Sequence, residues 1–269
     1  MEETVNRVSA ININDPRLDL YRDLKRSNKN RLTNTFIAEG GKLLDRLIDV
    51  GWPLVSVVLT PAACEIYERR LPPDVPVYLL DKEPIEELIG FNFHRGVLAC
   101  GRRPDFPDWR RLVPPPHGEG TLLILVDIHD PENVGNIIRS AAALGVSAIG
   151  MTPLCADPFS RRVLRTSMGG VLLTPITIID SPGEVLEELS TKHGIDIWAT
   201  VLDPSASPLK DAKPTGRQVI VVGNEGDGLP ADCVARCTQK VTIPMAAGAD
   251  SLNVAVATGI VLYQFLRSR

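Results

Sequence analysis

The stretch QVIVVGNEGDGLP, residues 218–230, and the stretch KVTIPMAAGADSLNVAVATGIVLYQ, residues 240–264, decide the fold. Gln218 to Val222 is a short apolar, β-branched run, the pattern of a strand buried on both faces of a parallel sheet. It runs into Gly223-Asn224-Glu225-Gly226-Asp227-Gly228, where the glycines let the backbone turn sharply and approach a ligand closely. Lys240 to Ile243 reads as a second strand, stopped by Pro244. Asp250 and Ser251 offer N-cap chemistry for a helix with Leu252, Val256, Ile260 and Tyr263 at helical spacing. Two loops at strand ends and a helix N-terminus form a cradle for a small ligand.

Working outward, the same alternation continues upstream. Leu122–Val126 reads as a strand, Asn133–Leu144 as a helix closed by Gly145, and Ala148–Met151 as a strand. A basic helix follows at about 159–168, then strands near 172–178, 196–201 and 219–222, with an acidic helix near 184–193. Short apolar strands separated by helices predict a mostly parallel α/β sheet, whose ligands sit beyond the carboxyl ends of the strands.

The N-terminal part is a second, smaller α/β pattern. Residues 1–16 lack periodicity and read as an arm. Asp19–Arg31 carries a basic helical pattern with Leu20 and Leu24 as its apolar positions. An amphipathic helix with Leu43, Leu44, Leu47 and Ile48 follows, closed by Gly51. Strands are expected at 54–59, 75–80 and 95–99. Pro104, Pro107 and Pro114-Pro115-Pro116 then interrupt any regular element. The expected division is an arm at 1–16, a small α/β domain at 17–103, a Pro-rich linker at 104–120 and the main domain at 121–269.

Composition excludes several classes. With 269 residues, 44% hydrophobic and 23% charged, the chain has the profile of a globular intracellular protein, and no apolar run reaches membrane-spanning length. The N-terminus, MEETVNRVSA, lacks the basic and apolar regions of a signal peptide. Five scattered cysteines form neither a CxxC pair nor a histidine-flanked set, so neither a zinc site nor a disulfide frame is expected. The net charge of −4 argues against indiscriminate nucleic-acid binding. The cations are nonetheless clustered: Arg22, Lys25, Arg26, Lys29 and Arg31 in one segment, and Arg161, Arg162 and Arg165 in another. Taken alone, each cluster reads as a solvated helix face.

A further motif, VDIHDPENVGNIIR at 126–139, occupies a strand-to-helix junction, with Asp130-Pro131 as the turn and Asn133 near the helix start. On the residues alone, Asn133 caps the helix and Arg139 pairs with a surface acid. A GxGxxG turn, a Walker lysine loop and a GxSxG elbow are all absent from the sequence, which disfavours a pyrophosphate ligand and leaves a phosphate-free nucleoside open.

Three segments together, DPENVGNIIRSAAALG (130–145), VVGNEGDGL (221–229) and IPMAAGADSLNVAVATGIVLYQ (243–264), resemble the motifs of the SpoU–TrmH RNA ribose methyltransferases of the SPOUT superfamily. CADPFSRRVLRTSMGG (155–170) also resembles the family, and the segment from about 24 to 101 is similar to the ribosomal-protein-like substrate-binding domain that often precedes it. The resemblance implies a deep trefoil knot in the C-terminal domain and a homodimer; a cytoplasmic location and no metal are expected from the missing signal segment and the cysteine pattern. The resemblance also implies S-adenosyl-L-methionine held by Thr200, Val201, Gly223, Glu225, Ile243, Met245 and Leu252. Methyl transfer to a ribose 2′-hydroxyl of rRNA or tRNA would involve Arg139 and Asn133, with Ser251 and Asn253 aligning the reactants. Arg22, Lys25, Arg26, Lys29, Arg31, Arg162, Arg165 and Ser167 become candidates for holding RNA. A non-catalytic RNA-binding paralogue on the same scaffold is the alternative, and a base methyltransferase a third reading.

Overall fold

The computed structural model describes residues 7–9, 12–24, 32–246 and 250–267. The chain divides into two compact units, Met1–Pro104 with Phe159–Leu172, and Asp105–Pro158 with Leu173–Arg269.

The first unit carries strands β1 (Arg7–Ser9), β2 (Thr35–Glu39), β3 (Leu54–Leu59), β4 (Val77–Leu79) and β5 (Val97–Arg102), ordered β1-β4-β3-β5-β2. β1, β4 and β3 run parallel, whereas β5 pairs antiparallel with both β3 and β2. Arg7–Ser9 is thus an edge strand rather than part of a free arm. β2 has all five residues buried, so it lacks the alternation that marks a half-exposed strand. Helices Gly41–Asp49, Pro61–Tyr67 and Lys82–Ile89 cover the sheet, the first through Leu43, Leu44 and Leu47 as the spacing predicts. The basic helix expected from Asp19 is instead a 3-10 helix, Pro16–Tyr21, anchored by buried Leu18 and Tyr21. Asp23 then takes a positive φ of 53°, which no helix continues through. Lys25, Arg26, Lys29 and Arg31 lie outside the described residues. The basic helix near 159–168 is observed as Arg161–Thr166, and its segment groups with this unit although the sequence places it inside the main domain.

The second unit is one seven-stranded sheet: β6 (Gly120–Leu125), β7 (Ala148–Met151), β8 (Ile176–Ile178), β9 (Asp196–Thr200), β10 (Ser207–Pro208), β11 (Arg217–Val222) and β12 (Gln239–Thr242). The order is β10-β12-β9-β11-β6-β7-β8, and every pairing is parallel. All six residues of β6 are buried, and their partners Gln218 to Val222 in β11 are buried too. Continuous apolar runs are what such doubly covered strands require. The Pro-rich stretch is not a bare tether: Trp109–Leu112 forms a 3-10 turn, and Trp109 packs into this unit's core beside Leu122, Ile179 and Leu189.

Since β12, β9, β11 and β6 are neighbours and parallel, their carboxyl ends and the loops that follow emerge together. The helix after β6, Pro131–Leu144, is started by Asp130, whose Oδ1 accepts from Glu132 N at 2.8 Å, and ended by left-handed Gly145. The C-terminal helix, Val254–Arg267, packs against it. The apolar positions picked out by helical spacing are not the buried face of that helix. Val254, Ala255, Thr258, Val261, Leu262 and Phe265 are the buried residues, while Leu252, Val256, Ile260 and Tyr263 are exposed at 38, 53, 41 and 61%.

Candidate functional site

The loops after β9, β11 and β12 enclose a pocket of about 370 Å³, within the size range of small-ligand sites. Thr200, Val201, Gly223, Glu225, Ile243, Met245 and Leu252, named from sequence as one set, all line it, as does Ser251. Val222, Val241, Val254, Ala257 and Val261 supply an apolar floor. The glycine loop is tied by its own polar groups: Asn224 Oδ1 accepts from Gly226 N at 2.7 Å and Asp227 N at 3.0 Å, and Gly228 N donates to Asn224 O at 3.1 Å. Gly223 has no space for a side chain, because a Cβ there would lie 2.4 Å from Gly228 C and O and from Leu229 N.

Charge restricts what the pocket can hold. Asp203, Glu225 and Asp227 line it, and among the described residues no lysine, arginine or histidine does. The Ser205 hydroxyl and N–H, both donating to Asp203 Oδ1, hold that carboxyl below its ordinary range. A pocket with this lining repels phosphate and suits a cationic or neutral ligand with an apolar ring.

Asn133 joins the pocket to a second feature. Its Nδ2 donates to Glu225 Oε1, and its Oδ1 accepts from Asn253 Nδ2 at 2.9 Å. Asn253 Oδ1 in turn accepts from Ala255 N at 2.9 Å and Val256 N at 3.3 Å. Asn253, rather than Asp250 or Ser251, is therefore the N-cap of the C-terminal helix. The helix start of the first motif falls to Asp130, so Asn133 is left for this bridge.

Beyond Asn253 lies an open groove of about 570 Å³ between the two packed helices, lined by Asn136, Arg139, Ser140, Val256 and Tyr263 among others. Arg139 is exposed and, among the described residues, forms no ion pair, so the surface-acid role is not the one observed. The four residues given catalytic roles from sequence thus fall into three places: Ser251 in the pocket, Asn133 between pocket and groove, Asn253 and Arg139 at the groove.

The candidate RNA residues separate differently. Arg162 and Arg165 are exposed. Ser167 is 2% exposed and its hydroxyl donates to Leu164 O at 3.2 Å, so it serves its own helix end and presents nothing to a ligand. Arg22 is committed locally, to Ile13 O at 2.8 Å and Asp19 Oδ1 at 3.3 Å. Sequence reasoning missed Asp203, Asp227 and Thr258 in the pocket. Asp227 had a signal in its place within the glycine loop and Thr258 as a polar residue in an apolar helical stretch, whereas Asp203 had none.

The unit is thus a parallel α/β sheet with a phosphate-averse, ligand-sized pocket at its strand ends, joined by side-chain hydrogen bonds to an arginine-bearing groove. Residues 120–263 match the SpoU rRNA Methylase family, and the chain belongs to it. It is 34% identical over 263 residues to an uncharacterized tRNA/rRNA methyltransferase of Mycobacterium bovis, covering 94% of this chain and 90% of the relative. A 23S rRNA (guanosine-2′-O-)-methyltransferase of Acinetobacter baylyi is 29% identical, over 76% of this chain and 84% of its own. Among solved structures, an AdoMet-bound rRNA methyltransferase from Sinorhizobium meliloti superposes with a TM-score of 0.84 at 27% identity, covering 98% of each chain.

Proposed function

We propose that this protein is an S-adenosylmethionine-dependent methyltransferase that modifies a ribose 2′-hydroxyl of rRNA or tRNA. The observation that carries the reading is the connection of an anionic, phosphate-averse pocket to the Arg139 groove through the Glu225–Asn133–Asn253 hydrogen bonds. Thr200, Val201, Gly223, Glu225, Ile243, Met245 and Leu252 would hold the cofactor, and the carboxylate-only ionic lining fits a sulfonium ligand without phosphates. When bound, S-adenosylmethionine supplies an activated methyl group.

This chain's residues supply the rest. A ribose hydroxyl is a weak nucleophile until its proton is taken or strongly hydrogen-bonded. Arg139 is not that base, because a guanidinium does not deprotonate in proteins. Its forked donors instead grip the neighbouring phosphate and fix the hydroxyl, and a phosphate oxygen or another group takes the proton. Asn133 and Asn253 hold the two sides in register, and Ser251 orients the reactants from the pocket.

The same reading includes a cytoplasmic homodimer joined through a knotted C-terminal domain, with the first unit as the RNA-binding part and Arg162 and Arg165 on its RNA face. No metal is called for. The exposed apolar stripe Leu252, Val256, Ile260 and Tyr263 supports a second copy packing along the C-terminal helix. Among the described residues no helix is long and apolar enough to cross a membrane.

The test is methyl transfer from labelled S-adenosylmethionine to rRNA and tRNA, followed by digestion to nucleosides. The label is expected in a 2′-O-methylated nucleoside. Label in a base would mean the third reading, and cofactor and RNA binding without transfer would mean the non-catalytic scaffold.

A further inference from the structure

The first unit contains an ion pair that is left incomplete. Glu39, at the end of β2, is 7% exposed, and its Oε2 lies 3.8 Å from Arg161 Nε, beyond hydrogen-bond length. Glu39 Oε2 and Arg161 Nη1 are both buried without a hydrogen-bond partner. Among the described residues neither side chain makes any hydrogen bond. The guanidinium sits 3.9 Å from the Phe91 ring centroid, which fixes its plane without satisfying its donors. Burial pushes the Arg161 guanidinium down; Glu39 opposes this and Arg165 adds to it.

Exposed pairs such as Lys82–Glu86 also stand open, at 3.7 Å, but there solvent reaches both partners, whereas the open oxygen of Glu39 is buried. A buried carboxylate beside a half-buried guanidinium, with Glu39 Oε2 and Arg161 Nη1 both unpartnered, carries a desolvation cost that a bound group would offset. The complementary group presents adjacent donors to the carboxylate and an acceptor to the guanidinium, on a flat frame. Among nucleobases, guanine has that edge: N1–H and N2–H side by side, with O6 next to them. Single-stranded RNA offers such edges once a base is unstacked.

We infer that Glu39 and Arg161 together read one unstacked guanine of the RNA, the carboxylate accepting from N1–H and N2–H and the guanidinium donating to O6. The inference rests on the RNA-modifying role proposed above. To reach the base both side chains turn outward, which gives up the 3.8 Å ion pair and the stacking on Phe91 but no hydrogen bond. Exposed Arg165 takes the adjoining phosphate.

The test uses the full chain and fluorescence anisotropy with short single-stranded RNAs differing at one position, guanosine or inosine, the latter lacking the 2-amino donor. Guanosine is expected to bind about ten-fold more tightly or better, the weight of one base-edge contact. Glu39→Gln, folded by its melting curve, is expected to erase that preference while still binding both RNAs. Equal binding of guanosine and inosine RNAs by the wild type overturns the inference and leaves the methyltransferase reading standing, and that comparison needs no variant to fold. A Glu39→Gln protein that keeps the preference, or loses stability alone, overturns it as well. Wild-type protein that binds no RNA of any sequence removes both.

Discussion

Three glycines of one loop face three different environments, so alanine at each position makes a graded prediction. At Gly223 the new Cβ would lie 2.4 Å from Gly228 C and O and from Leu229 N, all backbone atoms, so no flexible side chain can move aside. An ordinary contact needs about 1 Å more, and opening the loop by that amount costs on the order of 1–3 kcal/mol of stability. The same shift displaces the Asn224–Gly228 wall of the pocket, so cofactor affinity is expected to fall together with stability. At Gly226 the nearest atom is Asn224 Oδ1 at 3.5 Å, so alanine is expected within about 0.5 kcal/mol of wild type with cofactor affinity preserved. At Gly228 there is open space but φ is +69°, so strain alone costs about 1–2 kcal/mol. Melting curves and calorimetric titration with S-adenosylmethionine read both quantities. Wild-type affinity in Gly223→Ala, or an equal loss in Gly226→Ala, would refute the reasoning.

Asn253→Ala removes a helix cap and the donor to Asn133, and is expected to cost about 1–2 kcal/mol in urea denaturation together with most of the turnover; Ser251→Ala should leave stability within about 0.5 kcal/mol. Arg139→Ala should cut turnover severely at unchanged stability and cofactor affinity, with Arg139→Lys restoring only part because it lacks the fork. Ile260→Asp places a charge in the exposed apolar stripe and should give a folded, inactive monomer by light scattering. Burial, then the neighbouring Cys233, pushes the Cys237 thiol from 9.0 up to about 12. Since the folded state holds that proton more tightly, the stabilisation is full below pH 9 and lost as pH rises toward 12. The urea midpoint should fall across that window, and fall less in Cys237→Ala.

The pocket was legible in sequence because its parts are local: a glycine turn after an apolar strand states both a sharp bend and a strand end. Stacking those ends together required only that the strands be parallel neighbours. The C-terminal helix was harder. It is apolar around most of its circumference, so helical spacing could not say which stripe faces inward, and the set at that spacing is exposed. Its cap was misread because Asp250, Ser251 and Asn253 all carry capping chemistry, and only the position of Asn133 decides among them. β2 was hidden by burial on every residue, and β1 by its brevity. Trp109 amid prolines gave no periodicity, since a single large side chain anchors that stretch. Asn133 is instructive in the other direction: capping was the local reading, yet Asp130 already fills that role and frees the amide to bridge two loops distant in sequence.

The account depends on a phosphate-free methyl donor fitting between the ends of β9, β11 and β12. Calorimetric titration of the purified chain with S-adenosylmethionine tests this directly. Saturable binding at one site per chain, with ATP giving no heat, is the predicted result; no heat with S-adenosylmethionine, or tighter binding of the triphosphate, would contradict it.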